Sequence, residues 1–205
     1  MRFYYIVFLL FSISIFSQIK MNNLFSDNMI LQRNSKVNIW GKSNPNQIVT
    51  VYSSWNYKSE KTKSNSNGDW ILKIQTDSSF GPYEMSISTN DDTKIIKNIL
   101  FGEVWFASGQ SNMEMPLDGF FGEPVFGAQD IIGKSMNPQI RLITVERNYS
   151  LTPLLNFNGK WEESNPESSR YFSAVAYSFA KYIHESLEVP VGIISSSWGG
   201  TPAEA

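Results

Sequence analysis

The 205 residues contain no cysteine and one histidine, His184. The first absence excludes disulfides and thiolate metal sites. With one imidazole in all, a zinc site would have to be built mostly from carboxylates, so none is expected. Charge of one sign is lacking too: 17 Lys and Arg stand against 19 Asp and Glu, for a formal net charge of -2. That balance leaves no electrostatic footprint for nucleic acid or for anionic membrane surfaces. The length and the 41% hydrophobic content allow a buried core and one to two domains.

A run of apolar residues opens the chain, with Arg2 before it, residues 3–16 forming it, and Ser17-Gln18 after it. It is shorter than the roughly 20 residues a spanning helix needs, and a small residue follows at a plausible cleavage point. Residues 1–17 therefore read as a secretory signal peptide and the mature protein as secreted or periplasmic, with no membrane attachment after cleavage. Ile15, three residues before the cut, suits the peptidase less well than alanine, and an uncleaved anchor is the competing reading.

From residue 20 to about 100 the pattern is one of short strands. Residues 83–88 alternate apolar and polar strictly, as do Trp70, Leu72 and Ile74 against Lys73 and Gln75. Further strands are expected at residues 37–40, 48–52, 57–63 and 94–100. Turns are expected at residues 43–46 and, as a two-residue hairpin loop with positive φ at both positions, at Asn67-Gly68. Spacings of about ten residues predict a small all-β sandwich over residues 18–100. Trp40, Tyr52, Trp55 and Trp70 read first as core and rim packing of that sandwich, with a sugar-stacking platform as the alternative.

Beyond residue 100 the elements lengthen. Residues 103–108, Glu-Val-Trp-Phe-Ala-Ser, form a continuous apolar run that fits a central parallel strand. A Gly- and Pro-rich loop runs through Pro138, and a short strand is expected near residues 141–145. Phe172, Val175, Ala176, Phe179, Ile183 and Leu187 fall at helical spacing, opposite Lys181, Glu185 and Glu188. A second apolar strand at residues 191–195 leads into Gly199-Gly200-Thr201. Strand, helix, strand, glycine turn is half of an α/β domain, assigned to residues 101–205.

Ligands of such sheets sit beyond the carboxyl ends of the strands. Gly109-Gln110-Ser111-Asn112-Met113 follows the first strand, so Ser111 stands where a nucleophile would be presented. Serine is weak until a base takes its proton, and the oxyanion it generates needs fixed N–H donors. The Ser111 N–H is a natural first donor, and the Gly199-Gly200 turn ends the second strand, where backbone can approach a ligand. His184 falls near the polar face of its helix and before the second strand, which suits an edge histidine. Glu103 begins the first strand, while Glu114 suits the first turn of a helix.

Asn28-Met29-Ile30-Leu31-Gln32-Arg33, Trp40-Gly41, Gly68-Asp69-Trp70, Gly102-Glu103-Val104-Trp105, residues 109–113, residues 190–194 and Gly199-Gly200-Thr201 together resemble the sialate O-acetylesterase family, in its order and spacing. The resemblance implies a secreted SGNH (flavodoxin-like) hydrolase domain, partial here and preceded by the sandwich. It implies removal of O-acetyl groups from sugars by a Ser-His-Asp triad without metal or cofactor, with Ser111 as nucleophile. It also implies an oxyanion hole made by the N–H groups of Ser111 and of Gly199 or Gly200. The family's third donor, and its Asp and His, belong to later blocks that these 205 residues do not contain, so the fragment alone is expected to be inactive. The competing readings are a non-catalytic secreted carbohydrate-binding protein and an acetylxylan esterase. The expected partner is an O-acetylated sugar or glycan, with oligomeric state open, and Asn148-Tyr149-Ser150 is a glycosylation sequon.

Exported protein is expected to begin near Gln18. N-terminal sequencing that still reads from Met1 would replace the cleaved signal by an anchor.

Overall fold

The computed structural model describes residues 18–201. The signal-peptide reading falls on residues 1–17, outside that range. Eleven strands and four helices follow in chain order. They begin with β1 Lys20–Met21, β2 Ile30–Gln32, β3 Lys36–Lys42, β4 Ile48–Ser53, β5 Lys58–Lys63, β6 Asp69–Gln75, β7 Tyr83–Ser88 and β8 Thr93–Gly109. They continue with α1 Ser111–Glu114, α2 Ala128–Gly133, β9 Asn137–Thr144, β10 Glu162–Ser164, α3 Pro166–Arg170, α4 Ala174–Leu187 and β11 Val191–Ser197.

The strands make two sheets, one of order β1-β3-β6 and a mixed one of order β10-β9-β11-β8-β7-β4-β5. Alternation along β4, β6 and β7 sends every second side chain inward, as the period of two requires. Ile39, Trp70, Leu72 and Ile74 of the small sheet meet Val49, Val51, Met85, Ile87, Ile96 and Ile99 of the large one in a single core. Phe101, Ile143 and Trp161 belong to the same core, so residues from both sides of position 100 close it. A second core, with Leu117, Ile140, Leu142, Tyr177, Val191 and Ile193, lies between α4 and the parallel strands.

The boundary drawn between residues 100 and 101 falls inside β8. This strand pairs antiparallel with β7 through Ile99 and then parallel with β11 from Glu103 to Gly109. Between the two, β8 spends three residues from Ile96 to Ile99 where β7 spends two from Met85 to Tyr83, the extra residue of a β-bulge. Asn98 takes it up at φ 56°, and asparagine tolerates this left-handed backbone better than most residues. Its side chain donates to Asn28 Oδ1 at 2.8 Å and to Glu163 Oε1 at 3.0 Å, and accepts from Arg141 Nη2 at 3.3 Å. Arg141, 2% exposed, also donates through Nε to the Pro138 carbonyl at 2.6 Å and lies 3.2 Å from Glu163.

Two sequence expectations change. The run 103–108 is an apolar strand, as expected, but β11 flanks it on one side and no described strand pairs with it on the other beyond the β2 contact at residues 100–102. It is therefore an edge, with Trp105 45% and Phe106 66% exposed. The helix of residues 174–187 forms, capped by the Ser173 side chain, but its buried face is Ala174, Ala176, Tyr177 and Ala180. Small residues let the helix sit close to the sheet, which turns Val175 and Phe179 outward, with Phe179 set edge-on against Trp105 at 5.1 Å.

The Asn67-Gly68 turn is also different in kind. Only Gly68 has positive φ, at 82°, and the flanking β5 and β6 lie in different sheets. Asn65 Oδ1 accepts from the N–H groups of Asn67 and Asp69, and the Gly68 N–H closes on the Asn65 carbonyl at 3.0 Å. An asparagine side chain imitating a backbone turn thus takes over what two left-handed residues would do in a hairpin. A Cβ on Gly68 would lie 2.3 Å from the Ser43 carbonyl oxygen.

The two sequence blocks nearest this junction are joined by an ion pair. Gln32 donates to Glu103 Oε2 at 3.0 Å and accepts from the Val104 N–H at 2.9 Å, while Arg33 Nε meets Glu103 Oε1 at 2.8 Å. The Gln32 hydrogen bond and then Arg33 hold the Glu103 carboxyl below its ordinary value of 4.5, against the opposing effect of burial.

Gly68→Val should destabilise the protein by about 1–3 kcal/mol, since it combines a strained backbone with a backbone clash. An unchanged Tm would contradict the turn geometry. For Glu103, a lowered folded-state pKa means stability present in full above 4.5 and lost as pH falls through the lowered value. Wild type should therefore exceed Glu103→Gln in stability at neutral pH, with the gap closing below about pH 4.5 in denaturant titrations at stepped pH.

Candidate active site

Parallel strands deliver their carboxyl ends to one edge, and here the register pairs Ser197 of β11 with Gly109 of β8. The two chains leaving that edge are tied together. Trp198 N–H donates to the Gly109 carbonyl at 2.9 Å, Ser108 Oγ to the Ser196 carbonyl at 2.8 Å, and Gln110 Nε2 to the Thr201 carbonyl. The segment after Gly109 turns at once into the single helical turn α1, with Gln110 accepting from the N–H groups of Met113 and Glu114.

Ser111 is the first residue of that turn and is exposed. The first N–H groups of a helix have no carbonyl of their own helix to bond. Ser111 and Glu114 are three apart, so they stack on the same side of the turn. A Cβ built on Gly199 would stand 3.4 Å from Ser111 Oγ and 2.4 Å from Glu114 Oε2. Any residue but glycine at 199 would displace the carboxylate beside the serine.

The sequence reading of Glu114 as a simple first-turn acid missed its contacts. Its side chain is 16% exposed; one oxygen accepts the Gly199 N–H and the other pairs with Arg147. Both oxygens are thus engaged, which fixes the carboxylate and makes it a brace between α1, the Gly199 turn and the segment after β9. Of the two glycine N–H groups considered as oxyanion donors, that of Gly199 is given to Glu114. Gly200 is exposed, with φ 79°. The i, i+3 spacing from Ser111 was the available signal for Glu114, whereas nothing local announces Arg147 as its partner.

His184 and Glu103 are not brought to this edge. His184 Nδ1 lies 2.7 Å from the Val189 carbonyl oxygen, a contact that secures the end of α4. Both residues sit by the amino ends of the parallel strands, where Val191 pairs with Glu103. Six residue steps, about 20 Å, separate that end from Gly109. Beside Gln110 a cleft of about 900 Å³ opens, with Arg147, Tyr149, Ser196, Ser197 and Trp198 in its lining.

No family model matches the chain. Sialate O-acetylesterase from Homo sapiens is 27% identical over 197 residues, which cover 88% of this chain and 37% of that protein. The Rattus norvegicus protein of the same name is 29% identical over 195 residues, covering 86% and 35%. Among solved structures, a carbohydrate acetylesterase from Xanthomonas citri matches with TM-score 0.85 at 30% identity, over 91% of this chain and 42% of that one. The chain spans little more than a third of the length of the curated relatives it matches. Along most of its own length the chain is thus similar, in sequence to the sialate O-acetylesterases and in fold to the carbohydrate acetylesterase.

Proposed function

We propose that the protein of which these residues are part is a carbohydrate O-acetylesterase with an SGNH-type hydrolase domain, in which Ser111 is the nucleophile. The observation that carries this reading is the position of Ser111 at the carboxyl ends of β8 and β11, beside Gly199 and next in the chain to Gln110, which lines an open cleft. The names of its relatives, sialate O-acetylesterase and carbohydrate acetylesterase, support the substrate class.

In this mechanism Ser111 Oγ attacks the acetyl carbonyl carbon while a base takes its proton. The carbonyl oxygen becomes an oxyanion, and the sugar hydroxyl leaves with a proton returned by the same base. Water then cleaves the acetyl-serine by the same steps in reverse. The N–H of Ser111 faces the developing oxyanion as first donor. Gly200 supplies the second, because the N–H of Gly199 is held by Glu114. Glu114 and Arg147 neutralise each other and act by positioning the turn that carries the serine. The base is assigned to the Asp-x-x-His-like block of the family, beyond these residues, since His184 faces the other end of the sheet. Secretion or periplasmic export, through residues 1–17, belongs to the same proposal and suits an enzyme acting on external glycans.

In the full-length protein, Ser111→Ala should lower release of acetate from an O-acetylated sugar by roughly three or more orders of magnitude without changing the fold, as loss of a triad nucleophile does elsewhere. His184→Ala should leave turnover nearly unchanged. A fluorophosphonate probe should label Ser111 by mass spectrometry. Labelling of Ser195, Ser196 or Ser197 instead, or wild-type turnover in Ser111→Ala, would end the assignment.

A further inference from the structure

A second cleft, of about 630 Å³, opens on the small sheet away from the serine. Its apolar side is made by Met21, Trp40, Gly41 and Ile71, the last 57% exposed. Trp40 is held in place by Phe25, whose ring meets it edge-on at 4.5 Å. One wall is Leu155-Asn156, and this loop is fixed rather than loosely draped: Asn22 Nδ2 donates to the Leu155 carbonyl at 2.8 Å and Asn23 N–H to Asn156 Oδ1 at 2.9 Å.

The charges around this cleft are of one sign in excess. Lys20, Lys42, Lys63 and Asp69 line it, and Asp69 is committed to Lys42 at 2.8 Å. Lys20 and Lys63 make no ion pair among the described residues, so two ammonium groups face a half-apolar cleft with no carboxylate to answer them. An indole face suits the C–H side of a sugar ring, and free ammonium groups suit a carboxylate.

The cleft also adjoins a neighbour that reaches toward the serine edge. Asn22 and Asn156 line both it and a neighbouring cleft of about 580 Å³, whose lining includes residues 145–148. Those same residues line the cleft beside Gln110. Three clefts with shared walls therefore adjoin one another between the serine edge and Trp40, the walls being residues 145–148 and then Asn22 with Asn156.

We propose that these adjoining clefts together bind an extended acidic oligosaccharide, with a carboxylated sugar unit seated on Trp40 between Lys20 and Lys63 while an acetylated unit of the same chain reaches Ser111. The proposal rests on the carbohydrate esterase reading for the Ser111 end only. It makes the substrate a chain of several sugars rather than a single one, and it gives the small sheet a role in choosing that chain.

The test uses the full-length protein and an oligogalacturonate of several units as the acidic probe, with a xylo-oligosaccharide of equal length as the neutral one. Calorimetric titration should show binding of the acidic oligomer, weakened by salt, and much weaker binding of the neutral one. Lys20→Glu combined with Lys63→Glu should lower affinity for the acidic oligomer about ten-fold or more, with Tm and hydrolysis of 4-nitrophenyl acetate unchanged. No binding of the acidic oligomer, equal binding of both oligomers, or undiminished binding by the double variant would each overturn the proposal. Acidic binding lost in the double variant but with no Ser111-dependent hydrolysis of any ester would uphold the cleft and overturn the esterase reading instead.

Discussion

Arg141 is buried with its charge, and a buried guanidinium has to be met from several sides or it destabilises everything around it. It is met by the Pro138 carbonyl on its own strand, by Asn98 on β8 and by Glu163 on β10. Asn98 in turn reaches Asn28, ahead of β2. Four segments distant in sequence thus converge on the point where β8 bulges and changes partners. Burial lowers the Arg141 pKa and Glu163 opposes that shift, so the carboxylate helps keep the guanidinium charged where it is needed. Removing one partner of such a buried charge typically costs about 3–5 kcal/mol, which makes this knot a more stringent constraint than any single apolar contact nearby.

From that point the rest follows geometrically. Upstream of the bulge, β8 completes the antiparallel layer over the small sheet; downstream it aligns with β11 and carries the chain to Gly109. The Gln32-Arg33-Glu103 cluster fixes the beginning of the parallel section, and the Glu114-Arg147 brace fixes what lies beyond its end. The serine is exposed, yet the turn that bears it is tied to both strands and to the segment after β9.

Local periodicity made the strands β3 to β7 and the helix α4 legible in the sequence, because alternation and helical spacing are properties of neighbours. Partners are not. Residues 103–108 read as a central strand from their apolar run, but Trp105 and Phe106 remain exposed because no described strand lies on that side. The sequence divides β8 into a strand at residues 94–100 and another at 103–108, in two domains, because the elements lengthen after residue 100; that one strand runs through the division shows only in its pairing with β7 and then β11. The capping pair Asn165 and Ser168 of α3 is also a local signal, in a stretch to which the sequence reading assigns no element. At the serine edge, Ser111 and the glycine turn stood out by their positions after apolar strands. Arg147 did not, since its importance lies in a contact with Glu114 that no spacing encodes.

The bulged strand also bears on how such a protein can change over evolutionary time. A module that ends in a loop can be gained, lost or exchanged by recombination with little damage at the seam. Here a crossover near residue 100 would cut β8 in the middle and separate Phe101, Ile143 and Trp161 from the core they close. The antiparallel layer and the parallel strands are therefore obliged to be inherited together. A recombinant that exchanged one half at that seam would have to rebuild both the strand and the core.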